Sequence, residues 1–158
     1  EIFIVTNDKF HTHFEEWVKS YPSKNPIKIV NDGTLTNEDR LGAVGDMAFV
    51  VEQENVEDDL FVIAGDNLFK FSLKPLADLF KEKNASIVAG RKATKEEIAG
   101  TYGNLILDNN NKLIGFEEKP QEPKSDIAAT ALYIFNKEAI QELIDLFGEN
   151  SWVLKLES

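Results

Sequence analysis

The feature that most constrains the fold is an alternation of short, continuous apolar runs with amphipathic segments of helical period. Continuous apolar runs bounded by turn residues are typical of strands buried on both faces, because parallel sheets are covered by helices. Four such runs occur in order at Ile2–Val5, Ile27–Val30, Leu60–Ala64 and Ala85–Ala89. The alternation therefore predicts an α/β fold in which a mainly parallel sheet is packed against helices.

Apolar stripes with helical spacing follow the strand-like runs. They cover Phe10–Val18, Leu41–Val51, Leu73–Phe80 and Ile140–Phe147. In the first stripe the apolar residues recur at spacings of four, seven and eight, and Pro22 is expected to end the helix. Trp17 belongs to this stripe, so we expect its side chain to lie in the core.

The second half of the chain has a different pattern. Two strand-like segments, Tyr102–Leu107 and Lys112–Phe116, flank a turn at 108–111 that contains three asparagines. Because Asn tolerates positive φ, this arrangement predicts a β-hairpin. A further strand is expected at Ala129–Phe135. We find no internal repeat, linker or low-complexity tract, which predicts a single domain over residues 1–158.

Composition excludes several classes of function. The 158 residues carry 17 Lys and Arg against 28 Asp and Glu, so the formal charge is −11. This balance argues against nucleic acid or an anionic membrane as partner, since both attract clustered basic residues. No apolar run approaches the roughly 20 residues of a membrane helix. The sequence has no cysteine, which excludes disulfides and thiolate metal sites and fits a cytoplasmic protein.

Charged residues lie where predicted strands end. Asp66 follows a strand-like run, and ligands of open α/β sheets bind outside the carboxyl ends of strands. A carboxylate there can hold Mg²⁺, although a Gly-Asp-Asn turn by itself is common. Glu118 and Lys119 precede Pro120, which favours an extended Lys119 that presents its ammonium group to a phosphate. The simpler interpretation of this pair is a solvated charge cluster.

Glycines mark two further candidate positions. Gly103 begins a strand and can indicate a close approach of ligand to backbone or, more often, a bulge. The polar loop Thr34–Arg40 continues through Leu41 and Gly42 into a helix, whose first N–H groups can contact a nucleotide. A solvated connection is the simpler alternative for this loop.

Taken together and in order, four of these segments resemble the sugar-1-phosphate nucleotidyltransferases, in particular glucose-1-phosphate thymidylyltransferases and uridylyltransferases. The four segments are Leu60–Phe69, Tyr102–Leu105, Phe116–Pro120 and Ala129–Phe135. The resemblance implies a Rossmann-like three-layer α/β/α sandwich with a mixed, mainly parallel sheet. It also implies that a nucleotidyl group passes from a nucleoside triphosphate (dTTP or UTP) to a sugar 1-phosphate such as glucose 1-phosphate, with release of pyrophosphate.

The resemblance also implies roles for individual residues. Asp66 would bind the Mg²⁺ cofactor, and Lys119 would grip the sugar phosphate. Gly103 and Glu118 would contact the hexose, and contacts around Thr130 would help to select the sugar. In the loop that resembles the nucleotide-binding segment, the implied contacts to the base come from Arg40, Leu41 and Gly42.

The sequence departs from the family pattern at its start. The family's first strand and its glycine-rich triphosphate loop have no counterpart, and Glu1–Asn7 resembles the segment that follows them. The later aspartate that shares the metal with Asp66 in the family also has no match in this sequence. We therefore expect a chain that is truncated at both ends and is not competent by itself, with open sheet edges that favour a homo-oligomer. Ala131 stands where the family commonly has glycine, which suggests a different local approach of the sugar.

Two other classes of function remain open. The first is a non-catalytic nucleotidyltransferase-like domain that binds a sugar nucleotide or regulates a catalytic partner. The absent triphosphate loop favours it, whereas the charge set of Asp66, Glu118 and Lys119 weighs against it. The second is a generic α/β binding module related by fold alone, for which the four ordered segments would be a coincidence.

Overall fold

A computed structural model describes residues 1–148, without the side chains of residues 143 and 145–148. These residues form two compact units. One unit comprises Glu1–Glu57 together with the described residues from Gln141 onward, and the other comprises Asp58–Ile140. The alternation of strands and helices that the sequence predicts is present in both units, and the predicted hairpin belongs to the second.

The first unit contains a two-stranded parallel sheet and its connecting helices. Its elements are β1 (Ile2–Thr6), α1 (Asp8–Ser20), β2 (Ile27–Asn31) and α2 (Gly42–Glu54). The two strands pair in register from Ile2 with Ile27 to Thr6 with Asn31. Asn7 caps α1 because its side-chain oxygen accepts a hydrogen bond from the N–H of Phe10. The core of this unit contains Val30, Ala48, Val50 and Val51.

The expectation that Trp17 is buried is wrong. Its side chain is 41% exposed, and no residue of α1 is buried. The aromatic residues of the stripe instead contact one another along the helix, since the rings of Trp17 and Tyr21 lie 4.5 Å apart and those of Phe14 and Trp17 lie 6.4 Å apart. Of the predicted stripe only Val18 is half-buried, because helical period does not determine whether a face is covered.

The second unit is built on a five-stranded sheet. Its elements are β3 (Leu60–Ile63), α3 (Lys74–Lys83), β4 (Ile87–Lys92), α4 (Lys95–Ile98), β5 (Asn104–Leu107), β6 (Leu113–Glu117) and β7 (Ile127–Phe135). The last helix, α5 (Lys137–Gly148), follows β7 directly. The predicted hairpin is confirmed as β5 and β6, and Asn111 in its turn has a φ of +61°. The short α4 was not predicted, although Thr94 and Glu97 form a capping box at its start.

The long strand β7 organises this sheet. It pairs antiparallel with β3, with β4 and, at Ala128, with β5. The prediction of an α/β fold with a mixed sheet is confirmed, but the described pairings are parallel only between β1 and β2. Strands β3 and β4 run in the same direction because both are antiparallel to β7. They do not pair with each other. The core of this unit lies along these strands and includes Ile98, Leu105, Ala128, Leu132 and Ile134.

Candidate functional site

The turn that carries Asp66 is fastened to β7. The N–H of Ala64 donates to the carbonyl oxygen of Ala131 at 3.1 Å, and the Asn67 side-chain amide donates to the Thr130 carbonyl oxygen at 2.8 Å. The N–H of Asn67 also donates to the Ala64 carbonyl oxygen, which closes the turn. Asp66 lies between these anchors with an exposed side chain, directly beyond the end of β3. A fixed backbone therefore presents an exposed carboxylate to solvent or to a ligand.

Thr130 contributes to the site through its backbone and its hydroxyl group. The hydroxyl donates to the Ala89 carbonyl oxygen in β4 at 2.8 Å, while the Thr130 carbonyl accepts the hydrogen bond from Asn67. Because its proton is used within the sheet, the hydroxyl can meet a ligand only as an acceptor. Thr130 thus joins the Asp66 turn to β4.

Gly103 has a structural reason to lack a side chain. A Cβ at this position would lie 2.7 and 2.8 Å from two atoms of the Phe116 ring. Its carbonyl oxygen accepts a hydrogen bond of 2.8 Å from the N–H of Ala129. The close approach that the glycine indicated is therefore the approach of an aromatic ring, and it places residue 103 beside β7.

Lys119 follows the hairpin in an unexpected conformation. Its φ is +44°, so the expectation that Pro120 holds it extended is wrong. The turn is tied instead by a hydrogen bond of 3.0 Å from the N–H of Gly100 to the Pro120 carbonyl oxygen. A left-handed φ costs a non-glycine residue about 1–2 kcal/mol, and such strain persists only where the surrounding structure imposes it. The side chains of Glu118 and Lys119 are exposed.

Tyr133 is a candidate site residue that the sequence analysis did not single out. Its ring stacks on Phe135 at 5.6 Å. Partial burial raises the pKa of the Tyr133 hydroxyl above its usual value, and the negative charge of Glu118 raises that pKa further. This electrostatic coupling places Glu118 and Tyr133 in the same region. The signal in the sequence was alternation along β7, which puts residue 133 on the face of the sheet shared by 131 and 135.

The predicted site residues of the second unit meet along one stretch of β7. Gly103 contacts Ala129, the Asp66 turn contacts Thr130 and Ala131, and Glu118 interacts with Tyr133. Residues distant in sequence are thus collected around residues 129–133. The other predicted set, Arg40, Leu41 and Gly42, belongs to the first unit.

The loop that leads into α2 is ordered by acidic side chains. The Asp39 carboxylate accepts hydrogen bonds from the N–H groups of Leu35 and Thr36, which lower the pKa of Asp39. Gly42 adopts a φ of +78°, and a Cβ added there would meet no atom within 4 Å, so the backbone rather than packing requires glycine. Leu41 gives α2 no side-chain cap. Arg40 is exposed.

A carboxyl pair at the base of this loop was also missed. Asp32 accepts hydrogen bonds from the N–H and hydroxyl of the buried Thr34 at 2.8 and 2.7 Å. Burial raises the pKa of Asp46 to about 6, and the neighbouring charge of Asp32 adds to this effect. One oxygen of Asp46 is buried without a hydrogen-bond partner. Sequence reasoning could not find this pair because its members lie on different elements.

Within residues 1–148, no group of three or more His, Asp or Glu side chains could hold a metal ion. Over the same residues, no helix combines the length and the apolar character that crossing a membrane requires.

The fold is that of an α/β protein of the Rossmann-like nucleotidyltransferase type, as two similar solved structures show. A crystal structure assigned as a glucose-1-phosphate thymidylyltransferase from Bacillus anthracis, in complex with sucrose, superposes with a TM-score of 0.66. That match has 21% identity and covers 89% of this chain and 54% of the other. Apo UDP-glucose pyrophosphorylase superposes with a TM-score of 0.64, at 16% identity over 90% of this chain and 62% of the other.

Sequence comparison identifies the family. A family model described as Nucleotidyl transferase matches residues 1–157, and the chain belongs to this family. A glucose-1-phosphate adenylyltransferase of Lachnospira eligens is 33% identical over 54% of this chain and 20% of the relative. A UTP–glucose-1-phosphate uridylyltransferase of Synechocystis sp. is 34% identical over 69% of this chain and 29% of the relative. The chain thus spans less than a third of the length of these two relatives.

Proposed function

We propose that the protein carrying this chain transfers a nucleotidyl group from a nucleoside triphosphate to a sugar 1-phosphate, with glucose 1-phosphate as acceptor and UTP or dTTP as donor. The observation that carries this proposal is the convergence of the Asp66 turn, Gly103 and Glu118 on residues 129–133 of β7, with Lys119 next to Glu118 in the chain. The names of the two relatives described above support a glucose 1-phosphate acceptor. Because these names specify different nucleotidyl groups, they support the acceptor but do not select the base of the donor.

The proposed reaction needs charge neutralisation and alignment more than it needs a covalent intermediate. An oxygen of the sugar phosphate attacks the α-phosphorus of the triphosphate, the bond between the α-phosphorus and the bridging oxygen breaks, and pyrophosphate leaves. Holding the two phosphates in line removes much of the entropic barrier. Lys119 supplies an ammonium group for the sugar phosphate, and Glu118 supplies oxygens that accept hydrogen bonds from sugar hydroxyls.

Asp66 suits a Mg²⁺ ion that is shared with the substrate. Mg²⁺ takes one or two protein carboxylates and completes its octahedral shell with water and phosphate oxygens. A single exposed carboxylate on a fixed turn matches this requirement, whereas a metal cage of protein ligands would need the cluster that residues 1–148 do not contain. The ion would neutralise negative charge on the phosphates. Asp66 would hold it at the carboxyl end of β3.

The loop at Arg40, Leu41 and Gly42 is proposed to contact the nucleotide. The left-handed Gly42 and the start of α2 without a side-chain cap support this role, because both leave backbone N–H groups available to a ligand. Arg40 adds an exposed positive charge to a chain whose net charge is −11. This local charge is compatible with a triphosphate even though the whole chain is acidic.

The proposal is tested with glucose 1-phosphate and two substitutions. In the protein that carries this chain, Lys119→Ala is expected to raise the KM for glucose 1-phosphate at least tenfold, because a charged hydrogen bond contributes about 1.5–3 kcal/mol. Asp66→Asn is expected to reduce Mg²⁺-dependent pyrophosphate release at least a hundredfold. Lys112→Ala and Asp126→Asn, at exposed positions, are the matched controls. Unchanged turnover in Asp66→Asn, or equal effects of Lys119→Ala and Lys112→Ala, would contradict the assignment.

A further inference from the structure

Asn104 is a completely buried polar residue directly beside the proposed site. It begins β5 immediately after Gly103, and its relative exposure is 0%. Its side-chain NH₂ group donates to the Ser125 hydroxyl at 2.8 Å, to the Ile127 carbonyl oxygen at 3.0 Å and to the Ser125 carbonyl oxygen at 3.2 Å. Its side-chain oxygen accepts from the N–H groups of Lys124 and Ser125 at 2.9 and 3.1 Å. Both ends of the amide are therefore used.

Ser125 extends this network back into the sheet. Its hydroxyl donates to the Leu105 carbonyl oxygen at 2.5 Å and accepts from the N–H of Ile127 at 3.1 Å. An ion pair between Lys124 and Glu117 lies beside it. The chain is thus fastened at the point where it returns from the loop to enter β7.

The same residue also fixes the start of the loop. In the β5–β6 hairpin Asn104 pairs with Glu117, the last residue of β6, so its backbone lies against the position where the loop begins. Its side chain holds the position where the loop ends. Residues 118–126, which include Glu118 and Lys119, are therefore held at both ends by one residue.

The strained backbone of Lys119 gives a reason for such an anchor. A left-handed φ of +44° before a proline is not a conformation that a free loop would keep. The hydrogen bond from Gly100 to Pro120 constrains one side of this residue, and the Asn104 network constrains the end of the loop. Loss of either constraint would allow Lys119 to relax toward an extended conformation and move its ammonium group.

We infer that Asn104 is a positioning residue, which locks residues 118–126 in the conformation that presents Glu118 and Lys119 to the sugar phosphate. The part of this inference that concerns ligand binding rests on the proposed function. Neither a carboxylate nor an apolar residue can replace the amide, because the first cannot donate to Ser125 and Ile127 and the second leaves buried N–H groups without acceptors.

The lock itself is tested by amide hydrogen exchange in the whole chain. In Asn104→Ala we expect exchange at Lys124, Ser125 and Ile127 to accelerate at least tenfold, while β1 and β2 keep their protection. Asn110→Ala, in the exposed hairpin turn, is the matched control and should leave exchange unchanged. Ser125→Ala is a milder variant that keeps the test valid if Asn104→Ala fails to fold. Ser125→Thr retains the hydroxyl and should restore protection.

Positioning is separated from a merely structural role by enzyme kinetics and binding. With glucose 1-phosphate as probe, Asn104→Ala is expected to raise the KM and the Kd for the sugar phosphate about tenfold, which corresponds to the loss of one to two hydrogen bonds. The KM for the nucleoside triphosphate should stay within about twofold of the parent value. If Asn104 had only a structural role, Asn104→Ala would lower the melting temperature but would leave the ratio of the KM for glucose 1-phosphate to the KM for the nucleoside triphosphate unchanged.

Each outcome decides the inference. Unchanged exchange at residues 124–127 in Asn104→Ala would show that Asn104 does not hold the loop. Faster exchange with unchanged affinity for the sugar phosphate would show that the loop's hold on Glu118 and Lys119 does not matter for binding. Failure of the parent protein to bind any sugar phosphate would overturn the proposed function. The exchange comparison does not depend on that function, so it then decides by itself whether Asn104 holds the loop.

Discussion

At the scale of single residues, the backbone conformation of Ala131 explains why glycine would suit this position, as the resemblance to the family suggests. Ala131 has a φ of +52° in the middle of β7, where the register of the β4–β7 pairing shifts between Val88 and Gly90. A Cβ in this left-handed region costs about 1–2 kcal/mol. Glycine avoids this cost, so the strain at residue 131 favours glycine there whether or not a ligand binds nearby.

We therefore expect Ala131→Gly to raise the free energy of unfolding by ~0.5–1 kcal/mol. The relief of strain exceeds the extra conformational freedom that glycine gains in the unfolded chain. The measurement is urea denaturation at constant pH. Ala129→Gly, two residues earlier in the same strand and without a positive φ, is the matched control and should lower stability. Equal destabilisation by both substitutions would show that residue 131 is not strained.

Single residues also show where sequence reasoning reaches its limit. The functional interest of Lys119 could be predicted from its charge and its position after a strand, but its left-handed φ could not. Local sterics before proline favour an extended residue, and the hydrogen bond from Gly100 to Pro120, made by residues far apart in sequence, overrides that preference. Asn104 was missed for the same reason, because its partners lie about twenty residues further along the chain.

At the scale of elements, periodicity predicted which segments form strands and helices but not how the strands pair. The strands Ile2–Thr6 and Ile27–Asn31 are parallel as expected. The strands Leu60–Ile63 and Ile87–Lys92 carry the same apolar signal, yet each pairs with the antiparallel strand Ile127–Phe135. The apolar run Leu60–Ile63 is covered on one face only, since Phe61 and Ile63 are 38% and 44% exposed. Strand order and burial therefore depend on long-range contacts that an apolar run does not encode.

The carboxyl pair at the base of the loop before α2 predicts a stability that depends on pH. The pKa of Asp46 is raised from 3.8 to about 6 by burial and by the charge of Asp32. The folded protein therefore binds this proton more tightly than the unfolded chain does. The stabilising contribution of protonated Asp46 is fully present below pH of about 4 and is lost as the pH rises through about 6.

Asp46→Asn should remove this dependence. Asparagine keeps the shape and can donate to Asp32 as the protonated acid does, so the variant is expected to match the parent at pH 4. It should exceed the parent by ~1 kcal/mol at pH 8, a value reduced for the partial exposure of the carboxyl group. Chemical denaturation at several pH values measures the difference. Asp126→Asn, at an exposed position, is the control, and a difference independent of pH in Asp46→Asn would refute the raised pKa of Asp46.

At the scale of the whole molecule, the formal charge of −11 predicts that stability depends on salt. Like charges on a folded chain repel one another, and this repulsion is screened as the Debye length falls from about 30 Å at 0.01 M salt to about 8 Å at 0.15 M. The net charge of the chain does not exclude the proposed site, because Lys119 and the proposed Mg²⁺ would act on the phosphates over a few ångströms. The long-range field therefore concerns folding and choice of partner more than it concerns the proposed chemistry.

We expect the melting temperature at pH 8 to rise by about 3 °C between 0.01 and 0.15 M NaCl, which corresponds to a gain of ~1 kcal/mol in a chain of this size. At a pH near the isoelectric point of about 4.6 the net charge vanishes, so the same increase in salt should leave the melting temperature nearly unchanged. Differential scanning calorimetry at both pH values makes the comparison. An equal rise at both would mean that the salt acts through a bound ion or through apolar surface, and that the net charge does not limit stability.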